Sequence, residues 1–283
     1  MSGFRQIQKV RRGLFRRWKR LRQRFMRPDG MRQLLFIVGC QRSGTTLLSR
    51  IFERDMNSAS YGEASIFSRT TEPSRLRLRP MGEIATQIAD TPARLVVLKP
   101  LVESQNILQL LNHFTESRAI WLFRDFRDVA ASNLRKFGNQ NSIKDLRIIA
   151  EGSSENWRNE RLSNEMRNYV RSLYSENMSP VDAAVIFWIV RNQLFFDLGL
   201  DQHSRIHLCK YESLTTDPID VTKQIYDFIA QPYPTRDITA ETHPHSIRKG
   251  KFLTISPLID EKAKTLLAKM DTVWMQQKTA GAR

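Results

Sequence analysis

A short loop between a predicted strand and a predicted helix holds the residues best suited to chemistry. Leu34–Val38 is apolar throughout, which is typical of a strand buried on both faces. The loop Gly39–Thr46, with the sequence GCQRSGTT, comes next, and apolar residues at helical spacing follow it. In such a loop the backbone N–H groups and the positive end of the helix dipole converge on an anion, and the hydroxyls of Ser43, Thr45 and Thr46 add donors. The pattern predicts a P-loop-like phosphate-binding turn.

The positive charge of this loop is placed differently from that of a nucleoside-triphosphate loop. The spacing of Gly39 and Gly44 is the same, but Thr45 stands where that motif needs a lysine to reach a terminal phosphate. Arg42 lies two residues before Gly44, on the other side of the loop. We therefore expect a phosphate ligand whose chemistry differs from that of ATP.

Cationic residues also follow other predicted strands. Buried strands are predicted over residues 94–98, 119–123 and 205–209, and helical segments separate them. This alternation predicts an α/β fold, a three-layer sandwich with a central parallel sheet that binds ligands at the carboxyl ends of its strands. Lys99 and Arg124 come directly after two of these strands, and together with Arg42 they predict a site for a ligand with several negative charges. Asp125 is the predicted N-cap of the next helix.

Four motifs, taken in order, resemble those of sulfotransferases that use 3′-phosphoadenosine 5′-phosphosulfate (PAPS). Gln41–Thr46 is similar to the family's 5′-phosphosulfate loop, and Arg124–Ser132 is similar to its 3′-phosphate motif, an Arg and a Ser eight residues apart. Tyr211–Leu214 followed by Asp217-Pro218, and then Arg248–Gly250, are similar to two later motifs. Each match alone is weak evidence, whereas the ordered set is specific and spans residue 34 to about 275.

The resemblance implies sulfuryl transfer from PAPS to an acceptor hydroxyl or amine, without a metal, and release of adenosine 3′,5′-bisphosphate. It implies that the nucleotide is bound by Arg42, Ser43, Gly44, Thr45, Thr46, Arg124, Ser132, Tyr211, Arg248, Lys249 and Gly250. The loop residues would hold the 5′-phosphosulfate, with Lys99 beside the sulfuryl group, and Arg124 and Ser132 would hold the 3′-phosphate. Arg42 and Lys99 would also be catalytic, because cations stabilise the charge that develops on the leaving phosphate.

The general base is predicted from positions at which this chain differs from the cytosolic branch of the family. The cytosolic small-molecule branch has a lysine in place of Arg42, and a histidine base two residues after the lysine that matches Lys99. Here the latter position is Leu101. Glu63, twenty residues after Ser43, falls where the tyrosylprotein branch, and by analogy the carbohydrate branches of the Golgi, place a glutamate base. We therefore expect Glu63 to be the base and a glycan or another hydroxyl compound to be the acceptor.

Two other functions remain open from the sequence. A P-loop nucleotide or small-molecule kinase would share the sheet and the loop, although Thr45 replaces its lysine and no clear magnesium-binding Asp follows a strand. A membrane-docked scaffold would have kept the fold and lost turnover. Binding of adenosine 3′,5′-bisphosphate and label transfer from PAPS separate the three.

The first 32 residues are predicted to form a basic amphipathic arm, separate from a sulfotransferase domain over residues 33–283. The arm holds twelve Lys and Arg against one Asp, which is most of the formal net charge of +16. Residues 4–25 space their apolar side chains three or four apart, which predicts a helix that ends before Pro28. This helix suits an anionic membrane surface, and docking on its own domain or on a second subunit is the alternative. A nucleic-acid partner is not expected, because an apolar stripe contributes nothing to phosphate binding.

The remaining observations concern the cellular location and the fold of the protein rather than its reaction. No apolar run approaches the roughly 20 residues of a membrane span, and residues 1–32 lack a signal-peptide core. Cys40 and Cys209 are expected to be buried and reduced, which favours a cytoplasmic location, peripheral at a membrane if the arm binds there. Residues 69–80 are expected to form an exposed loop, and Trp188 with Asn192 a core-facing stripe. The oligomeric state is left open.

Overall fold

The computed structural model describes residues 2–25, 32–71, 75–152 and 156–280, with the backbone alone for residues 2–12, 71, 75 and 280. The strands in chain order are β1 (Gln33–Gly39), β2 (Ser58–Tyr61), β3 (Ser68–Thr71), β4 (Arg75–Leu78), β5 (Leu95–Leu98), β6 (Arg118–Phe123) and β7 (Ile206–Lys210). Five of them form a sheet in the order β2-β5-β1-β6-β7, and every neighbouring pair in it is parallel. The expected central parallel sheet is confirmed.

Strand β1 lies in the middle of this sheet, and its continuous apolar run follows from that position. It pairs with β5 on one side and β6 on the other, so that Leu35 lies opposite Val97 and Ile37 opposite Ile120. Leu35 and Ile37 join one hydrophobic cluster, while the alternate residues Leu34, Phe36 and Val38 join the cluster on the opposite face. Burial of one such side chain contributes about 1.5–3 kcal/mol to stability. Because both faces of β1 are covered, apolar residues are favoured on both.

Helices cover both faces of the sheet and complete the three layers. The α-helices are α1 (Ser2–Phe25), α2 (Thr45–Arg54), α3 (Met81–Asp90), α4 (Ile107–His113), α5 (Phe126–Phe137), α6 (Asn141–Glu151), α7 (Asn164–Leu173), α8 (Pro180–Asp197), α9 (Tyr211–Thr216), α10 (Pro218–Phe228) and α11 (Pro257–Ala280). Helices α4, α5, α6, α7, α8 and α11 bury residues against one face, and α2, α9 and α10 against the other. This is the expected three-layer α/β sandwich.

Helix α8 is buried nearly all round, and it supports the edge of the sheet where the strands end. Ser179 caps it by accepting a hydrogen bond from Asp182 N at 3.4 Å, and Pro180 occupies its first turn. Trp188 is fully buried and donates from Nε1 to Arg124 O at 3.0 Å. Asn192 is also fully buried and donates to Trp188 O at 2.9 Å. The structural interpretation of these two residues is confirmed.

Three strands were missed: edge strand β2 of the main sheet, and β3 and β4, which form a separate two-stranded sheet. Residues 58–61 (SASY) form edge strand β2, which the sequence did not reveal because the strand is short and largely polar. The expected exposed loop over residues 69–80 is wrong, since β3 and β4 form an antiparallel hairpin there. Arg77 holds this hairpin in place, because its guanidinium ion-pairs with Glu103 at 2.7 Å and with Glu160. Residues 72–74 lie outside the described residues.

Helix α1 confirms the predicted helix of the arm and packs against the domain through its polar side. Lys19 Nζ donates to Glu53 O at 2.7 Å, and Gln23 Nε2 donates to Ser58 O at 2.8 Å. Lys19 is buried, and this burial lowers the pKa of its ammonium group to about 8. Arg16 adds an ion pair with Glu53. The predicted break at Pro28 lies outside the described residues.

The apolar stripe of α1 faces away from the domain. Leu14, Trp18, Leu21 and Phe25 are 54–83% exposed, and their helical spacing puts them on one face. Docking through polar side chains therefore leaves the hydrophobic face open, the reverse of an ordinary surface helix. In the described ranges no helix is both long enough and apolar enough to cross a bilayer.

Candidate active site

The predicted phosphate loop connects β1 to α2 and depends on glycine at both ends. Gly39 and Gly44 have φ angles of 125° and 98°. A Cβ atom on Gly39 would lie 2.3 Å from Leu122 O, and one on Gly44 would lie 2.3 Å from the ring of Tyr211. Helix α2 begins at Thr45, so the unpaired N–H groups of its first turn lie at the end of the loop. The loop has the geometry of an anion cradle, as the sequence predicts.

The three loop hydroxyls differ in exposure. Ser43 and Thr45 are buried, whereas Thr46 is exposed at the start of α2. Burial also raises the pKa of the Cys40 thiol, which neighbours Ser43, to about 12, so this thiol stays protonated. Cys209 is likewise buried with its pKa raised to about 12 by burial. The expectation that both cysteines are buried is confirmed, and neither forms a disulfide.

The two predicted phosphate-binding groups lie beside each other. We call them the two grips: the first is the loop with Arg42, and the second is the pair Arg124 and Ser132. Arg42 Nε donates to Ser132 Oγ at 3.1 Å, across the gap between the loop and α5. Arg124, which is 5% exposed, donates from Nη1 to Arg42 O at 3.4 Å. Burial, followed by repulsion from Arg124, lowers the pKa of Arg42. These two guanidinium groups repel each other, so a bound anion would stabilise this part of the site.

Tyr211, at the start of α9 after β7, connects the two grips. Its ring lies 4.2 Å from the guanidinium carbon of Arg124 and fills the space that the missing side chain of Gly44 leaves. The next residue, Glu212, accepts a hydrogen bond from Asp125 N at 3.0 Å, and burial raises the pKa of its carboxyl group. The Tyr-Glu pair therefore fixes Arg124 and the start of α5 relative to the loop.

Residues 246–250, called the strap, contain the late Arg-Lys-Gly motif and pack over the start of α5. Asp128 holds them there, and sequence reasoning did not assign this residue to the site. Its two carboxylate oxygens accept from Arg248 N at 2.8 Å and from Gly250 N at 2.9 Å. Asp128 also pairs with Arg124 at 3.3 Å. A Cβ atom on Gly250 would lie 2.1 Å from Arg127 O. The four-residue spacing from Arg124 to Asp128 is the one signal in the sequence that indicates this role.

One local prediction at this contact is confirmed, and two further contacts describe how residues 246–250 meet α5. Asp125 caps α5 as expected, accepting from Arg127 N at 2.9 Å and Asp128 N at 3.2 Å. Ser246 accepts a hydrogen bond from Arg124 through its backbone oxygen. The side chains of Arg248 and Lys249 are exposed, so here the motif contacts α5 through its backbone.

The proposed base, Glu63, follows β2 and lies beside Lys99, which follows β5. Lys99 Nζ is 2.5 Å from Glu63 Oε1 and 3.4 Å from Thr46 Oγ1. Lys99 is 7% exposed, whereas the Glu63 side chain is 31% exposed. Strand β2 positions this pair, because Tyr61 O accepts from Lys99 N at 3.0 Å. A carboxylate, a lysine and the first helical turn of the loop thus share one edge of the sheet, where proton transfer and anion stabilisation can occur together.

The following histidines form no hydrogen bond with Glu63, Lys99 or the loop among the described residues. Burial alone lowers the pKa of His207, inside β7, to about 4, and burial first and then Arg205 lower the pKa of His203. His243 and His245 lie against each other with ring centroids 5.3 Å apart. No three His, Cys, Asp or Glu side chains come together as a metal site in the described part of the chain.

The comparisons with known proteins agree with this arrangement. The family described as the sulfotransferase domain matches residues 32–264. The sulfotransferase domain of the olefin synthase of Synechococcus PCC 7002 is similar with a TM-score of 0.54 and 19% identity, covering 87% of this chain and 97% of that one. A sulfotransferase domain from the curacin biosynthetic pathway is similar with a TM-score of 0.51 and 17% identity, covering 86% and 99%. None of the curated proteins compared with the sequence matches it significantly.

The two solved structures show the fold, and the family match decides the chemistry in favour of sulfuryl rather than phosphoryl transfer. The match spans the loop, both grips and the late strap, and it leaves α1 outside. The chain belongs to the sulfotransferase domain family and is a sulfotransferase.

Proposed function

We propose that this sulfotransferase takes its sulfuryl group from PAPS and transfers it to a hydroxyl of an acceptor, releasing adenosine 3′,5′-bisphosphate. The observation that carries the proposal is the contact between the two grips, Arg42 Nε to Ser132 Oγ at 3.1 Å. A nucleotide with anionic groups at both its 5′ and 3′ positions can reach both grips at once. One phosphate alone would need only the loop.

The buried donors of the site support an anionic ligand. Arg124 Nε is buried and has no hydrogen-bond partner among the described residues. An unpaired buried donor costs about 1–3 kcal/mol, and a ligand oxygen beside it would remove that cost. Residues proposed to hold the nucleotide are Arg42, Ser43, Gly44, Thr45, Thr46, Arg124, Ser132, Tyr211, Arg248, Lys249 and Gly250. PAPS would supply the sulfuryl group and a phosphate that leaves with the electrons of the broken S–O bond.

Glu63 and Lys99 are the proposed catalytic pair, together with Arg42. The Glu63 carboxylate would accept the proton of the acceptor hydroxyl as the new S–O bond forms. Lys99 lies between Glu63 and Thr46, so its charge would stabilise the negative charge that develops towards the loop. A glycan or another hydroxyl compound is the proposed acceptor, and this assignment rests on the carboxylate base.

The test combines binding and turnover. Calorimetry should show binding of adenosine 3′,5′-bisphosphate in preference to ATP with Mg²⁺, and labelled PAPS should transfer its label to one of a panel of glycans, phenols and tyrosine peptides. Glu63→Gln is expected to lower kcat by about 100-fold or more while bisphosphate affinity stays within about twofold, because a general base contributes about 10²–10⁴-fold. Glu83→Gln, an exposed carboxylate paired with Arg79, is the control and should keep the full rate.

Each failure has a different meaning. Preference for ATP would support the kinase, and bisphosphate binding without any label transfer would support the scaffold. A full rate in Glu63→Gln would overturn the base assignment and leave the donor assignment standing.

We also propose that the exposed face of α1 attaches the enzyme to an anionic membrane surface. Leu14, Trp18, Leu21 and Phe25 present a continuous apolar face, and the arm concentrates most of the positive charge of the chain. Apolar side chains flanked by arginines are complementary to a bilayer interface with anionic headgroups. The free, buried cysteines support the expected cytoplasmic location, peripheral at the membrane.

Flotation with vesicles of phosphatidylcholine and phosphatidylserine tests this attachment. The full chain should float with the vesicles, and Trp18→Ser/Leu21→Ser should remain with the soluble fraction at unchanged bisphosphate affinity. The contradicting result is equal flotation of both proteins. Loss of a dimer on gel filtration in the double variant, without any flotation of the full chain, would instead assign the face to a second copy.

A further inference from the structure

A large cavity lies between α1 and the outer edge of the sheet. Its volume is about 730 Å³, enough for a sugar-sized molecule. Helix α1 lines one side of it, and edge strand β2 with the segment as far as Ile66 lines another. The end of α3 and the residues after it complete the lining.

The side of the cavity formed by α1 is cationic. Arg16, Lys19, Arg20 and Arg24 all line it. Arg16 is neutralised by its ion pair with Glu53, and Lys19 is bound to the Glu53 backbone at 2.7 Å. Arg20 and Arg24 have no hydrogen bond or ion pair with any residue that the structure describes. With Glu53 engaged, Asp90 is the remaining acidic side chain of the lining, so the cavity has an excess of positive charge.

The cavity adjoins the segment that carries the proposed base. Gly62 and Ala64, the residues on either side of Glu63, both line it. A Cβ atom on Gly62 would meet no atom within 4 Å, so the space next to the base is open. The Glu63 carboxylate itself lies against Lys99 and outside the lining. A molecule anchored against α1 would therefore have to extend past Gly62 to bring a hydroxyl to Glu63.

The cationic lining is a property of this chain and not of the matched domain. The family match begins at residue 32, and Arg20 and Arg24 lie before it. The matched domain supplies the open position at Gly62, and α1 adds two guanidinium groups that pair with none of the residues the structure describes.

We propose that this cavity is the acceptor site and that it selects a hydroxyl compound bearing an anionic group, a carboxylate, phosphate or sulfate, which Arg20 and Arg24 bind. The inference rests on the proposed transfer at Glu63. It adds the class of acceptor, and it assigns the selection to the arm. The guanidinium groups pair with the anion of the acceptor and hold its hydroxyl towards Glu63.

The experiment compares two sugars that differ by one charge. Binding of p-nitrophenyl glucuronide and p-nitrophenyl glucoside to the full chain saturated with adenosine 3′,5′-bisphosphate is measured by calorimetry. The glucuronide should bind at least about tenfold more tightly, because a charge-assisted hydrogen bond contributes about 1.5–3 kcal/mol. Arg20→Glu/Arg24→Glu should abolish this preference and leave the affinity for the bisphosphate unchanged.

A matched control separates the site from net charge. Arg50→Glu/Lys269→Glu makes the same change of charge at exposed positions outside the cavity lining, and it should keep the preference. Equal affinities of the two sugars, or a preference that survives in the Arg20/Arg24 variant, would overturn the inference. Failure of the bisphosphate to bind would instead contradict the proposed function.

Two further arms identify the source of the acceptor. The glucuronide is offered free in solution and as an octadecyl glycoside in phosphatidylcholine vesicles. Tighter binding to the vesicles assigns the site to a lipid headgroup, and tighter binding of the free form assigns it to a soluble anion. The inference of an anionic acceptor is overturned if the glucuronide binds no better than the glucoside both on vesicles and in solution.

Discussion

The two sides of the site are built in opposite ways. The donor side, which comprises the β1-α2 loop, the start of α5 and residues 246–250, is closely packed, and its Arg124 and Asp128 are 5% and 2% exposed. The proposed acceptor side comprises α1, β2 and the neighbouring hairpin β3-β4. Its cavity is lined by α1, by β2 with the segment to Ile66 and by the end of α3, and two of the lining arginines are unpaired among the described residues.

The difference follows from position in the sheet. The proposed donor side lies at the carboxyl ends of central strands, where α5, α8 and α9 pack around it and its polar groups are held in fixed positions, with Arg124 Nε left for a ligand. The acceptor side lies at an edge, where a strand has one neighbour and α1 docks through a few polar contacts. We therefore expect substitutions on the donor side to affect nucleotide binding strongly and those on the acceptor side to spare it.

The same substitution in the two regions should give the largest contrast. Gly250→Ala would place a Cβ atom 2.1 Å from Arg127 O, so we expect the affinity for the bisphosphate to fall by about 100-fold, or about 3 kcal/mol. Gly62→Ala meets no atom within 4 Å and should bind normally. Calorimetry on both variants measures the contrast, and similar affinities would remove the basis of the comparison.

Loss of the strap's anchor should have the next largest effect. In Asp128→Asn the side-chain NH₂ replaces one of the two oxygens that accept from Arg248 N and Gly250 N, so one of these N–H groups loses its acceptor. The ion pair with Arg124 is lost as well. We expect bisphosphate affinity to fall by about 10- to 30-fold, because an unpaired buried donor costs about 1–3 kcal/mol. Asp90→Asn on the acceptor side is the control. An unchanged affinity in Asp128→Asn would mean that the strap does not depend on this carboxylate.

Removal of the hairpin's anchor should affect stability without affecting the donor. Arg77→Met leaves the buried Glu103 carboxylate without its arginine, so the free energy of unfolding should fall by about 2 kcal/mol. Bisphosphate affinity should not change. Urea unfolding measures the first quantity, with Arg79→Met, an exposed pair, as the control. A parallel loss of bisphosphate affinity would show that the two sides are coupled.

The smallest expected effect concerns pH and the docking of α1. Burial lowers the pKa of Lys19 from 10.5 to about 8, so the docked helix binds fewer protons than the free one between these values. Docking should therefore strengthen as pH rises through this window, by about 1–2 kcal/mol from pH 7.5 to 9.5. Hydrogen-exchange protection factors of residues 13–25 report it. Lys19→Gln should lose the dependence, and a decrease of protection with pH in the wild type would contradict the assigned cause.

Much of the fold was predictable because its signals are local. The buried strands around Phe36, Val97 and Ile120 appear as apolar runs, and Asp125 is recognisable as a cap from its type and position. Edge strand β2 was missed since a strand with one neighbour needs no apolar pattern. The hairpin was missed because Arg77 depends on Glu103 and Glu160, which are 26 and 83 residues away.

The sequence by itself determined the phosphate loop, the alternation of strands and helices, and the ordered motifs of the sulfotransferase family. These follow from backbone conformation and periodicity, which neighbouring residues control. Tertiary structure alone decided that Arg42 meets Ser132, that Asp128 anchors the late strap, and that α1 docks with its apolar face outward. Such contacts join residues far apart in the chain, and their free energy depends on burial and partners that no local pattern contains.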